Sequence, residues 1–263
     1  MNILEKIVAQ KRIEVEQRKK EVPVSALEQY ELFKKLPYSL KAFIKDENKT
    51  GIIAEFKRAS PSKGIINKEA KVEDVTAAYT KFGASGVSVL TDEIFFKGAL
   101  QDLVTASKNA VPVLRKDFMI DAYQLVEAKA HGASVILLIA ACLTPGEVKT
   151  LAASAKSLGL EVLLELHDET ELEHVCNDVD LVGINNRNLK TFSVDLVQSI
   201  RLAEKIDGAF LKIAESGISS AENTQYLKQH GFDGFLIGEF FMKEKDPGLA
   251  FKNFVAAFKT ISV

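Results

Sequence analysis

The sequence contains no tryptophan, and only two cysteines and three methionines in 263 residues. Cys142 and Cys176 form no CxxC pair and stand at no metal-ligand spacing from a histidine. A disulfide framework and a structural zinc site are therefore not what organises this chain. Both cysteines read as small buried apolar residues of a reducing compartment. Charge of one sign is missing too. Lys and Arg number 34 against 36 Asp and Glu, a net charge of -2, so the basic footprint of a nucleic-acid binder is absent. The longest apolar run, ASVILLIAACL at 133–143, is too short to cross a bilayer. The opening stretch MNILEKIVAQKRIEVEQRKK has no apolar core of the signal-peptide kind. These absences predict a cytoplasmic protein with no membrane and no nucleic-acid partner.

What is present is a large apolar fraction, 47%, with 27% charged residues, enough for a sizeable core. Residues 1–48 read as a charged helical extension, with Ile3, Leu4, Ile7 and Val8 on one face. Pro23 and Ser25 are expected to start a second helix, with Ser25 as cap and Glu28 three residues on. Pro37 is expected to end it.

From residue 51 a rhythm begins. Short β-rich runs at 52–56, 86–90, 111–115, 134–139, 161–166, 181–185, 210–214 and 234–238 alternate with helical patterns, several ending at Gly. Eight such units predict an α/β fold, a (β/α)8 TIM barrel over 51–263, forming one domain with the extension. A doubly wound open sheet is the rival, but no GxGxxG follows the first strand.

In such a barrel the chemistry sits at the C-terminal strand ends. Those ends supply Glu55 and Lys57, Thr91 and Asp92, Lys116, Glu165, Asn185 and Arg187, Glu215 and Ser216, then Gly238 and Glu239. Glu55 and Lys57 are two apart and point to one side of the first strand. A solvated ion pair at a rim explains any one of these residues. It explains poorly a set of two lysines and three glutamates on different strands, which must satisfy and perturb one another. Ser216-Gly217 and Leu236-Ile237-Gly238-Glu239 follow strands seven and eight, where barrels commonly hold a phosphate. The residues after Gly238 are enough for a short extra helix. Ser60-Pro61-Ser62-Lys63-Gly64 reads as an irregular mobile loop able to close over a ligand. His167 follows a strand near these groups, and a helix-start or loop role suits it better than a substrate contact.

IIAEFKRASPSKG, SVLTDEIFFKGAL, VLRKDFMIDAYQL, LLELHDE, VGINNRNLKTF, IAESGI and FLIGE together make the chain resemble the indole-3-glycerol phosphate synthases. The likeness runs over nearly the whole length. It implies a carboxy-lyase of tryptophan biosynthesis, acting on an anionic phosphosugar without metal or organic cofactor, as a monomer. It implies Lys116 as general acid. Glu165 and the Glu55–Lys57 pair are candidates for the later acid and base steps, with Asn185 and Arg187 in support. It further implies that Phe96 and Phe118 wall an aromatic ring and that Ser60, Ser216, Gly217, Gly238 and Glu239 frame a phosphate, with Glu215 and Leu236 also in contact. Phe240-Phe241 departs from the family, which usually has a small residue and then Leu or Ile. Two alternatives remain open at this point. One is an isomerase like phosphoribosylanthranilate isomerase. The other is a Schiff-base aldolase using Lys57, Lys116 or Lys212.

Overall fold

The computed structural model describes residues 2–187 and 193–261. Asn188 to Phe192 of the VGINNRNLKTF motif lie outside the described residues. Eight strands form the barrel: β1 (Ile52–Phe56), β2 (Gly86–Leu90), β3 (Val113–Lys116), β4 (Val135–Ile139), β5 (Glu161–Leu166), β6 (Leu181–Asn185), β7 (Leu211–Glu215) and β8 (Gly234–Ile237). All neighbours pair in parallel, and β1 pairs with both β2 and β8, which closes the sheet. Helices lie between the strands, and the last, Pro247–Ile261, packs against the ring from outside. Among the described residues, no helix is long and apolar enough to cross a membrane.

Because successive strand residues face opposite ways, each strand feeds two cores. Ile52, Ala54 and Phe56, or Val162 and Leu164, face the helices. Ile53, Leu114, Val135, Leu137, Leu163, Leu181, Ile213 and Leu236 fill the barrel. The same inward parity continues to Glu55, Lys116, Glu165, Asn185 and Glu215 at the far ends. The interior is thus apolar at one end and charged at the other.

Some strand limits differ from expectation. β3 starts at Val113 rather than 111, because Pro112 has no N–H for the ladder. It extends through Lys116. β7 is shifted one residue on, so that Glu215 closes it. β8 stops at Ile237, and Gly238 begins the short helix Glu239–Met242. The stretch 169–174 is a 3-10 helix, not an α-helix.

The extension is more broken than its periodicity suggests. Helix α1 (Ile3–Glu21) is capped by Asn2 in a reciprocal box with Glu5. The next helix is only Val24–Leu27 and starts from Pro23, so Ser25 lies inside it and caps nothing. The third, Leu40–Lys45, is capped by Ser39 and by Glu161 of β5, whose carboxylate accepts from Leu40 N at 2.7 Å and from Ser39 Oγ at 2.5 Å. Its Leu40 and Ile44 plug the N-terminal end of the barrel. A Cβ on Gly86 would lie 2.7 Å from Leu40 Cδ1.

Helix α1 runs to the opposite end, held by a buried charge. Lys11 is 1% exposed, and its ammonium lies 2.9 Å from Glu14, 3.0 Å from Asp92 and 2.9 Å from Asp117. Arg115 holds Asp117 at 3.1 Å and Glu127 at 2.9 Å, and Arg18 of α1 reaches Glu127 at 3.2 Å. Burial opposes the charge on Lys11, but the carboxylates outweigh it and hold the ammonium well above the usual lysine range. Burial likewise works against ionised Asp117, and Lys11 and Arg115 reverse that. Replacing Lys11 by Met keeps the volume and takes the shared ammonium from the buried carboxylates of Asp92 and Asp117. Urea denaturation of Lys11→Met is expected to show a loss of about 3 kcal/mol, the scale for removing one partner of a buried pair. An unchanged midpoint would show that the clasp contributes nothing.

Candidate active site

The residues to which the family resemblance gives a catalytic or substrate-binding role all line one cavity of about 320 Å³ at the C-terminal end of the barrel. They are Glu55, Lys57, Ser60, Phe96, Lys116, Phe118, Glu165, Asn185, Arg187, Glu215, Ser216, Gly217, Leu236, Gly238 and Glu239. The volume falls in the range of small-ligand clefts. A wider groove of about 1090 Å³ lies between outer helices, but its charged groups are rim residues such as Lys71, Asp74 and Lys245. Volume alone would choose that groove; the buried chemistry is in the barrel.

At the centre is Lys116. Its ammonium donates at 2.7 Å to Glu165 Oε2 and at 2.7 Å to Glu215 Oε2. Burial opposes that charge, yet Glu165, Glu215 and Glu55 hold it well above the usual lysine range. Glu165 Oε1 accepts from Asn185 Nδ2 at 3.0 Å. Burial alone would raise the Glu165 carboxyl, but Lys116 and His167 hold it well below the usual carboxylate range. Glu215 takes the opposite course. Burial, and the nearby charges of Glu165 and Glu55, outweigh Lys116 and push it up to about 7. Two carboxylates on one ammonium cannot both ionise freely, so their pKa values part. A second pair stands beside this one: Lys57 donates to Glu55 Oε1 at 2.7 Å.

Two glycines make room for these carboxylates. A Cβ on Gly183 would fall 2.1 Å from Glu215 Oε1, and one on Gly238 would fall 2.4 Å from Glu55 Oε1. Around the charges the cavity is apolar. Phe96 and Phe118 stand with ring centroids 6.1 Å apart and planes at 38°. Leu137, Ile139 and Leu236 line the interior, and Ile3, Leu4 and Ile7 of α1 line the cavity beside them.

On the side of β7 and β8, Ser216 and Gly217 both hold left-handed φ, at 66° and 69°. Glycine is free there; serine is strained. Arg187 lies 3.6 Å from Glu239, and its N–H donates to Asn185 Oδ1 at 3.0 Å. The loop after β1 is not irregular throughout: Ala59–Ser60 and Gly64–Ile65 form a minimal antiparallel ribbon. Arg58 ties its base to Asp102. The ribbon tip sends Lys63 to 3.9 Å from Glu239.

Thr91 and Asp92, though strand-end residues, turn away from the cavity. Thr91 donates to Asp117 at 2.6 Å, and Asp92 pairs with Lys11. Lys212 does not line the cavity. Three features escape the sequence. The wall from α1 is visible there as an apolar face, but nothing local says what it covers. Lys11 gives no signal, because apart from Glu14 its partners Asp92 and Asp117 are distant in the chain. His167 does not line the cavity, in keeping with its loop position, yet its ring lies 3.2 Å from Glu165. Among the described residues, no group of three or more His, Cys, Asp or Glu could hold a metal ion.

Residues 4–254 match the family model described as "Indole-3-glycerol phosphate synthase". The indole-3-glycerol phosphate synthase of Bacteroides thetaiotaomicron is 46% identical over 259 residues, covering 97% of this chain and 98% of that one. The one from a Polaromonas species is 44% identical over 255 residues, covering 95% and 96%. Among solved structures, the tryptophan synthase alpha subunit of Legionella pneumophila superposes with a TM-score of 0.61 at 14% identity, over 84% of this chain and 97% of its own. Thiamine phosphate pyrophosphorylase from Pyrococcus furiosus gives 0.59 at 14% identity, over 81% and 98%. At such identities these two speak for the barrel alone. The near full-length match in sequence carries more: this chain belongs to the indole-3-glycerol phosphate synthase family.

Proposed function

We propose that the chain converts 1-(2-carboxyphenylamino)-1-deoxyribulose 5-phosphate to indole-3-glycerol phosphate, with loss of carbon dioxide and water. The observation that carries this reading is the ammonium of Lys116 clasped by Glu165 and Glu215 inside a cavity that also offers an aromatic wall and a glycine-lined rim. The substrate brings a flat ring, a carboxylate and a phosphate. Phe96 and Phe118 receive the ring, since an aromatic wall holds a flat ligand. Lys57 lies well for the carboxylate. Ser60, Ser216, Gly217, Gly238 and Glu239 frame the phosphate, and Arg187, beside Glu239 on the same rim, supplies positive charge for the anion.

Ring closure joins the carboxylate-bearing ring carbon to the ketone carbon, and the ketone oxygen becomes an alkoxide. Lys116 gives it a proton. The carboxylate leaves as carbon dioxide, and its bonding electrons restore the aromatic ring. In the last step the new hydroxyl leaves as water while a base removes a proton to complete the indole. Glu165, held ionised, is that base, and the Glu55–Lys57 pair supplies acid on the other side. Asn185 orients Glu165. A Schiff-base mechanism needs a neutral lysine, and the carboxylates around Lys116 oppose one. The extension and the barrel work as one domain, because α1 supplies part of the cavity wall. The same reading makes the protein a cytoplasmic monomer, which light scattering of the purified chain would check.

Indole fluorescence should grow when the protein is incubated with the carboxyphenylamino sugar phosphate, against a low background because the chain has no tryptophan. A product lacking indole absorbance would sink the assignment in favour of an isomerase. Lys116→Ala and Glu165→Gln should each cost at least ~10²-fold in kcat, the scale for losing an acid or base. Turnover within a few-fold of wild type would remove the residue concerned from the mechanism.

Glu215 makes the pH dependence specific. Below its pKa of about 7 it is neutral, and Lys116 pairs with Glu165 alone. Above that value Glu215 ionises and binds the ammonium more tightly, so the acid step slows. The kcat profile should fall on the alkaline side of neutrality, and Glu215→Gln should remove that limb.

A further inference from the structure

His167 follows β5 directly, and its imidazole is wedged between carboxylates from two different elements. Nε2 lies 3.2 Å from Glu165 Oε1, and Nδ1 lies 3.4 Å from Glu171 Oε2. The side chain is 10% exposed. Neither ring nitrogen is aligned for a hydrogen bond, so what acts across these gaps is charge. The clamp is fixed from behind as well, because the His167 main-chain N–H donates to Glu171 Oε2 at 2.6 Å.

A neutral imidazole carries one N–H and one bare lone pair. Whichever tautomer forms, a lone pair then faces a carboxylate that can only accept. The doubly protonated ring is the one form that meets both neighbours with positive charge. We propose that His167 is a positioning residue for the reaction: as an imidazolium braced by Glu171, it keeps Glu165 ionised and aimed between Asn185 and Lys116. This rests on the reading of Glu165 as the base. Its use appears when Lys116 has given up its proton. Glu165 then loses one of its two cations, and His167 is the cation that remains beside it.

The surrounding groups agree. Burial disfavours the charged ring, but Glu165 and Glu171 outweigh it and push its pKa up to about 10. From the turn after β4, the Cys142 thiol is pushed up to about 12 by burial and by the same two carboxylates, so it adds no charge. His174, on the 3-10 helix with Glu171, is turned to the main-chain carbonyls of Glu171 and Leu143. Lys116 of β3 sits on the far oxygen of Glu165, Asn185 of β6 shares Oε1, and Glu215 of β7 shares the ammonium of Lys116.

The test is the pH profile of kcat and KM for His167→Asn, Glu171→Gln and Glu165→Gln on the carboxyphenylamino sugar phosphate. Removing a cation from beside Glu165 raises its pKa. The acid limb of His167→Asn should therefore move up by roughly one unit, which lowers kcat ~10-fold on that limb. KM should stay within about three-fold, because His167 lies outside the cavity wall. Glu171→Gln should move the limb in the same direction by less. If His167→Asn leaves the limb and kcat in place while Glu165→Gln is crippled, the positioning role is overturned and the base stands. If Glu165→Gln itself turns over normally, the base assignment falls and this inference with it. Nitrogen-15 spectra of the wild-type histidines give a readout that needs no variant. Both ring nitrogens of His167 should stay protonated through pH 8, and a neutral ring there would overturn the proposal.

Discussion

One ammonium shared by two carboxylates sets the terms for the rest of this molecule. Lys116, Glu165 and Glu215 sit on three different strands, and each is costly to bury alone. Together they are tolerable only at contact distance, and 2.7 Å to each carboxylate is what closure of the barrel delivers. The closure fixes the strand positions through eight parallel ladders. Gly183 and Gly238 sit among the charges because side chains there would occupy the space of Glu215 and Glu55. The apolar filling below them, from Ile53 to Leu236, excludes water and so raises the value of every charge above it.

The extension completes this arrangement from both ends. Leu40 and Ile44 shut the N-terminal mouth, held there by Glu161 of β5. Lys11 draws α1 onto Asp92 and Asp117 at the other end, which brings Ile3, Leu4 and Ile7 to the cavity. Asp117 is the neighbour of Lys116 in sequence and faces the other way. The same strand end thus holds Lys116, the proposed acid, on one side and the anchor for α1 on the other. Docking the helix and placing the lysine are therefore coupled through one rigid dipeptide.

Much of this is legible in the sequence alone. Strand alternation is a short-range property, so the inward parity of Glu55, Lys57, Lys116, Asn185 and Glu215 follows from spacing once the barrel is assigned. The glycine-bearing ends of β7 and β8 are legible for the same reason. What spacing does not reveal depends on pairs distant in the chain. Lys11 looks like any helix-surface lysine until Asp92 and Asp117 are brought to it. The division of pKa values between Glu165 and Glu215 follows from which oxygen meets which neighbour, and spacing does not encode that. The loop position of His167 is readable, but its two carboxylate neighbours depend on how the 169–174 segment folds back. That segment adopts a 3-10 turn where its periodicity predicts an α-helix.

Phe240 and Phe241, which follow Gly238-Glu239, divide between the core and the cavity rim. Phe241 is fully buried among Tyr79, Phe251 and Phe254, with ring centroids 5.2 to 6.0 Å away. It belongs to the layer between strands and helices, and its bulk is absorbed there. Phe240 packs on Phe254 at 5.4 Å and reaches the cavity rim. Its side chain adds apolar surface beside the proposed phosphate site, where an anion gains nothing from it. The groups suited to that anion are the main chain of Gly238 and Glu239 and the left-handed pair Ser216-Gly217, none of which depends on what side chain follows. The proposed phosphate cradle, built from backbone, asks little of the side chains at 240 and 241, whereas the Lys116 cluster depends on side chains in contact.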